Sequence, residues 1–314
     1  MADHIRFLVL GNGELAMSLA NGFIKGGLKC GGAVSLEAKL LPDASIGLSS
    51  WAIEKRTQYF EISDANSADL EQIQKVIQAD LLLVEWPKIL KKATIDLFPL
   101  GAIGTHPSCV PFGRGRHPLH WQIVMGYKEV FLSIFKLTEA VDAGPLLIQK
   151  AISTDVEETI ITLVKKVSKE TYACGFALAE QLTTLGHFDE VSPLNVCGTL
   201  WRKRTVPDIE IDFRMSRNSI SRLVRSVLPP FIGAKLVTEF GQLTIIGSSN
   251  CEFENWEFYA LGSILEIGEN SLVLRVDDGP IRLFASKNLS DPFRNLRFVM
   301  PPSFYRRQSQ AKSG

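Results

Sequence analysis

The chain has 314 residues, long enough for two domains of roughly 150 each, and its 34 basic and 34 acidic residues cancel to a net charge of zero. That balance removes any global pull on nucleic acid or on an anionic membrane surface. Five cysteines (Cys30, Cys109, Cys174, Cys197 and Cys251) form no C-x-x-C pair, so the pattern suggests neither a disulfide framework nor a zinc site, and reduced cytoplasmic thiols are the plain reading.

The N-terminus, Met1 to Arg6, leads straight into a strand rather than a signal peptide, and no apolar run is long enough to span a membrane. Ile5 to Leu10 reads as a strand, Gly11-Asn12-Gly13 as a tight turn, and Glu14 onward as a helix. The end of that helix would offer free N–H groups and a positive dipole to an anion. The Gly-x-Gly is only half of a dinucleotide fingerprint, so it supports a βα turn better than a nucleotide site. Leu28 to Leu36 reads as a second strand, and residues 37–59, with Trp51 and Arg56, as a turn-rich mobile loop. Asp69 to Gln78 reads as a helix with Leu70, Ile73, Val76 and Ile77 on one face. Asp80 to Glu85 is a continuous apolar strand of the kind buried on both faces in a parallel sheet. Trp86-Pro87-Lys88-Ile89-Leu90 follows it.

The most informative run begins at Gly104-Thr105-His106-Pro107-Ser108 and continues through Pro111, Gly113, Arg114, Gly115, Arg116, His117, Pro118 and Trp121. His106 sits just past an apolar segment, where a strand of an open α/β sheet delivers a residue to its carboxyl edge. The prolines and glycines make the next stretch a shaped loop. After a strand at 129–137 comes Glu139-Ala140-Val141-Asp142-Ala143-Gly144-Pro145, which places Asp142 on a turn. A histidine and an aspartate on rigid loops are the pair needed for acid–base work near neutral pH. Taken singly, each residue reads as readily as a satisfied strand-end histidine or a turn-forming aspartate.

The run resembles the signature of the folate-dependent formyltransferase family, written Asn-x-His, Ser-Leu-Leu-Pro-x-x-Arg-Gly, Pro-x-x-Trp and, later, Asp-x-Gly. His106, Ser108, Pro111, Arg114, Gly115, Pro118, Trp121, Asp142 and Gly144 fall in register with it. One position departs: the family's Asn, whose amide donates to the developing oxyanion, is Gly104 here. Thr105, Asn12, His117 or a backbone N–H are candidates to replace that donor.

The resemblance implies a Rossmann-like α/β catalytic domain with a mostly parallel sheet over 1–186 and a small OB-like β-barrel over 208–307; the composition of 187–207 reads as a linker and 308–314 as a disordered tail. Beyond the site, 144–152 reads as a strand, Asp155 onward as a long helix, Asp208 to Phe213 as a strand, and Ser216 as the N-cap of a helix. Five short strands then follow, with Asp277-Asp278-Gly279 as a hairpin turn. The basic run Trp201-Arg202-Lys203-Arg204 could touch a ligand phosphate, although such runs are usually solvated surface.

By resemblance, the donor is 10-formyltetrahydrofolate. His106 is the general base, Asp142 its orienting partner, and Gly104 and Ser108 belong to the catalytic group. Trp86, Ile89, Leu90, Ala140, Val141 and Gly144 are the candidates to hold the folate. Gly11, Asn12, Gly13, Arg114, Arg116 and His117 are the candidates on the substrate side. The neutral charge and the wording around Arg114 and Pro229-Pro230 favour a nucleotide-linked amino sugar as acceptor, with no membrane or nucleic-acid partner and with a homodimer allowed. The alternatives are a methionyl-tRNA formyltransferase and a non-catalytic folate- or nucleotide-sugar-binding relative.

Overall fold

Apolar runs separated by glycine turns and helices become the strands of a mostly parallel sheet. The computed structural model describes residues 5–41, 45–191 and 197–303. The elements that build the sheet are β1 (Arg6–Gly11), α1 (Glu14–Lys25), β2 (Lys29–Leu36), α2 (Ser49–Glu54), β3 (Gln58–Ile62), α3 (Ala68–Ile77), β4 (Leu81–Glu85), α4 (Lys92–Ile95) and β5 (Ala102–His106). A two-residue β6 (Arg114–Gly115), α5 (Pro118–Met125), β7 (Glu129–Lys136), β8 (Leu146–Ser153), α6 (Ile160–Leu185) and a two-residue β9 (Leu200–Trp201) follow. The seven-stranded order is β3-β2-β1-β4-β5-β7-β8. The first five run parallel, and β7 and β8 close the sheet antiparallel. Leu8, Leu10, Leu82, Val84 and Ala102 on one face pack against Leu70, Ile73 and Ile77 of α3. Ser67 caps α3 by accepting from the Asp69 amide.

Contacts divide the chain into two compact units, one of residues 1–118, 129–154 and 162–202, the other of 119–128, 155–161 and 203–314. The second unit holds α7 (Arg217–Arg225) and an antiparallel sheet of β10 (Ala234–Thr238), β11 (Gly241–Asn250), β12 (Ile264–Ile267), β13 (Ser271–Val276) and β14 (Gly279–Ala285). Its strand order is β10-β11-β14-β13-β12. Ile220, Leu223 and Val224 of α7 are buried in that unit's core, and Ser216 accepts from the Ser219 amide as its cap. Five strands were expected there, and five are present. They leave β10 and β12 as the two edges, rather than pairing with each other into a closed barrel among the described residues.

Several local expectations change. Trp51 belongs to no mobile loop: it is buried in α2 and its indole donates to Asn21 Oδ1 at 3.1 Å. Val76 shares the periodicity of its neighbours but is exposed. The stretch 208–213 forms no strand. Val206–Ile209 is a 3-10 turn tied by Thr205 and Asp208, with a single bridge from Glu210 to Lys235. The long helix starts at Ile160, not at Asp155. The expected tail at 308–314 lies outside the described residues.

Candidate active site

Two strand ends and two turns supply the site. β5 ends in His106, which is buried, and the loop that follows brings Gly113 back against the ring. His106 Nε2 lies 3.0 Å from the Gly113 carbonyl oxygen. A carbonyl only accepts, so the network places the ring proton on Nε2 and leaves Nδ1 with the lone pair when the ring is neutral. Nδ1 stands 3.8 Å from Asp142 Oδ2, within ion-pair reach but beyond a direct hydrogen bond. Asp142 adopts a left-handed backbone, φ 47°, and its Oδ2 accepts the Gly115 amide at 3.1 Å. The loop after His106 therefore holds both members of the pair, one through a carbonyl and the other through an amide.

Segment 198–201 clamps that loop. It falls inside the stretch whose composition reads as linker, yet β9 pairs with β6 in parallel. Thr199 Oγ1 accepts the Gly113 amide at 2.8 Å, and the Thr199 carbonyl accepts the Arg114 amide at 3.0 Å. Two paired residues have no periodicity to detect, so only the coordinates reveal this strand.

Gly104 has a neighbour that sequence reasoning missed. A Cβ built on it would stand 2.8 Å from Leu137 Cδ2, so Leu137 occupies the space a side chain at 104 would need. Of the candidate replacements for an amide there, Thr105 projects to the opposite face of β5 from Gly104 and His106, because successive strand residues alternate. Its hydroxyl is buried without a hydrogen-bond partner. Asn12 sits past the end of β1, with β4 between β1 and β5, and its Oδ1 accepts the Leu36 amide at 3.0 Å. Neither one takes the place of a donor at 104. His117 has a left-handed backbone, φ 56°.

The Gly11-Asn12-Gly13 turn does not present an open anion site. Glu85, at the end of β4, accepts the Ala16 amide in the first turn of α1 at 2.7 Å. A carboxyl group of the chain itself thus occupies the helix end where a phosphate would be attracted. Burial pushes the Glu85 carboxyl up to about 8, against a lowering by the Ala16 amide. The only sequence signal for this was an acid ending an apolar strand.

Among the residues expected at the folate, Leu90 is inside the core at 5% exposure, whereas Ile89 is 61% exposed and Val141 is also exposed. Ala140 is exposed beside it. Trp86 is half-buried against the core, and its Nε1 is buried with no hydrogen-bond partner among the described residues. Gly144 is required by close approach: a Cβ there would fall 1.7 Å from the Lys136 carbonyl oxygen. Arg114 Nε is also buried without a hydrogen-bond partner among the described residues, and Arg116 Nη1 reaches the Pro87 carbonyl at 3.5 Å. Val110, Pro111, Arg114, Asp142 and Gly144 line a narrow crevice with no room for a water-sized sphere. Ser108 is buried, and its hydroxyl donates to the Phe112 carbonyl at 3.0 Å, which makes it part of the loop's scaffold. Among the described residues no cluster of His, Cys, Asp and Glu could hold a metal ion, and no helix is long and apolar enough to cross a membrane.

An α/β sheet with an imidazole and a carboxylate meeting at its carboxyl edge defines the class of fold and site. Residues 29–176 match the family model described as formyl transferase. That match spans a little under half of the chain and supports a place in a folate-dependent formyltransferase family. The chain is 27% identical over 202 residues to a methionyl-tRNA formyltransferase of Pseudothermotoga lettingae, a match that covers 64% of each chain. In fold it is similar to WlaRD, described as a sugar 3N-formyl transferase and solved with dTDP and 5-N-formyl-THF, at TM-score 0.64 and 15% identity over 91% of this chain and 99% of that one. It is also similar to HypX from Aquifex aeolicus, solved with tetrahydrofolic acid, at TM-score 0.63 and 14% identity over 89% of this chain and 43% of that one.

Proposed function

We propose that this chain moves the formyl group of 10-formyltetrahydrofolate onto the amine of a nucleotide-linked amino-deoxy sugar. One observation carries the reading: His106 has its Nε2 proton committed to Gly113, its Nδ1 open, and Asp142 Oδ2 3.8 Å away. A neutral amine attacks the formyl carbon and must lose a proton as the new C–N bond forms. His106 takes that proton at Nδ1, and Asp142 stabilises the imidazolium. The bond from the formyl carbon to N10 then breaks, and His106 returns the proton to the departing nitrogen, giving a formamide and tetrahydrofolate.

The residues expected at the folate offer surface suited to a flat heteroaromatic donor. Trp86 offers an indole N–H that lacks a hydrogen-bond partner among the described residues, and Ile89, Ala140 and Val141 offer exposed apolar surface, with Leu90 beneath them in the core. Gly144 keeps the turn low enough for Asp142 to face His106. No side-chain amide stands at 104, so we assign charge stabilisation of the tetrahedral oxygen to the protonated imidazole. Arg114, Arg116 and His117 remain the substrate-side candidates. Gly11, Asn12 and Gly13 are better suited to folding than to phosphate, because Glu85 already holds the helix end. Five free thiols suit a reducing cytoplasm.

A second reading, transfer to initiator methionyl-tRNA, is favoured by the relative at 27% identity. The zero net charge favours the sugar. An assay with 10-formyltetrahydrofolate and either dTDP- and UDP-linked 4-amino sugars or charged initiator tRNA separates them. Formylated sugar is the expected product. Formylation of the tRNA alone would replace the sugar reading, and donor binding without turnover on any amine would make the chain a binding relative.

A further inference from the structure

A chain of hydrogen bonds runs from β8 to the loop that holds the imidazole. Gln149 Nε2 donates to the Val110 carbonyl at 3.1 Å and to Ser133 Oγ at 2.9 Å. Ser133, fully buried on β7 and the register partner of His106, donates its one proton to the Ser108 carbonyl at 2.6 Å. Ser108 Oγ in turn donates to the Phe112 carbonyl, and the next residue supplies the carbonyl that meets His106 Nε2. The direction of this chain is fixed. Ser133 has a single hydroxyl proton and gives it to Ser108, so it can only accept from Gln149. Gln149 Oε1 accepts the Cys109 thiol at 3.5 Å, which orients the amide with its NH2 toward Ser133. Three loop carbonyls, at 108, 110 and 112, are thereby anchored, two of them to the sheet.

We propose that Ser133 and Gln149 are positioning residues that turn loop 107–113 so that the Gly113 carbonyl holds the Nε2 proton of His106 and Nδ1 is left facing Asp142. Neither residue touches the reacting atoms. Their influence on rate rests on the proposed formyl transfer, whereas their influence on the imidazole does not.

The test therefore reads the ring directly. In protein labelled with 15N-histidine, long-range NMR correlations distinguish the Nε2–H from the Nδ1–H tautomer, and the His106 signal is assigned by its loss in His106→Gln. Wild type is expected to show Nε2–H. Ser133→Ala and Gln149→Ala are expected to populate both tautomers, and Ser133→Thr, which keeps the hydroxyl, to restore the wild-type signal. One lost hydrogen bond of this kind predicts a fall in kcat of about three- to tenfold with KM unchanged. If Ser133→Ala fails to fold, the exposed Gln149 position carries the test. An unchanged His106 tautomer in Gln149→Ala and in any folded Ser133→Ala protein would overturn the proposal. A shifted tautomer in a protein that formylates no amine would leave the proposal standing and remove the functional reading.

Discussion

Two turns leave the carboxyl edge of the same sheet, and they have opposite characters. The turn after β1 has the glycines and helix end of a phosphate cradle, but Glu85 already accepts the Ala16 amide there. The loop after β5 anchors its carbonyls and amides to β7, β8 and residue 199, yet leaves one ring nitrogen facing a carboxylate across a 3.8 Å gap. The first turn satisfies itself and stabilises the fold. The second spends its hydrogen bonds on holding one pair of groups ready. Glycine content does not separate the two; the presence or absence of an internal partner does.

That contrast can be broken at several points. Asp142→Asn keeps the size and removes the charge, and it should lower kcat by about 10²–10⁴-fold in the formyl transfer assay. An effect on KM alone would mean that Asp142 only binds. Gly144→Ala forces a methyl into the Lys136 carbonyl at 1.7 Å. It should cost about 2–3 kcal/mol or more in denaturant unfolding, with loss of activity through the displaced turn. Gly104→Asn alone collides with Leu137 and should destabilise by about 1–3 kcal/mol. Gly104→Asn combined with Leu137→Ala opens the space, and restoring an amide donor should raise the transfer rate by at least tenfold, toward the hundredfold typical of such donors. A double variant no faster than wild type would show that the site does not use a side-chain donor at 104.

The smallest effect belongs to the self-satisfied turn. The Glu85 carboxyl is raised from 4.5 to about 8, so the folded state binds its proton more tightly than the unfolded chain does. Its contribution to stability is present in full at low pH and declines as pH rises from about 4.5 to about 8. Glu85→Gln should flatten that decline in unfolding curves measured across the window while leaving kcat unchanged. A large fall in kcat would move Glu85 out of the scaffold and into the chemistry.

The parts legible in the sequence were those carried by local pattern. The runs at β1, β4 and β5 and the helix α3 follow from period, and α7 from period and cap. The pairing of His106 with Asp142 was inferred from two glycine- and proline-rich stretches separated by one strand, taken together with their resemblance to the formyltransferase signature. The parts that were not legible depend on contacts far apart in the chain. Glu85 meets Ala16 across 69 residues, Leu137 fills the space beside Gly104 from just past the end of β7, and Thr199 reaches Gly113 from a stretch composed like a linker. Trp51 looked like a loop residue because α2 is only six residues long, too short for periodicity to register.

The most direct measurement is the single-turnover rate of formyl transfer from 10-formyltetrahydrofolate to a nucleotide-linked amino sugar in wild type and in His106→Ala. A proton acceptor at Nδ1 predicts that the variant binds the donor as wild type does and transfers at least a hundredfold more slowly. Transfer at the wild-type rate would contradict the assignment of the imidazole as the base.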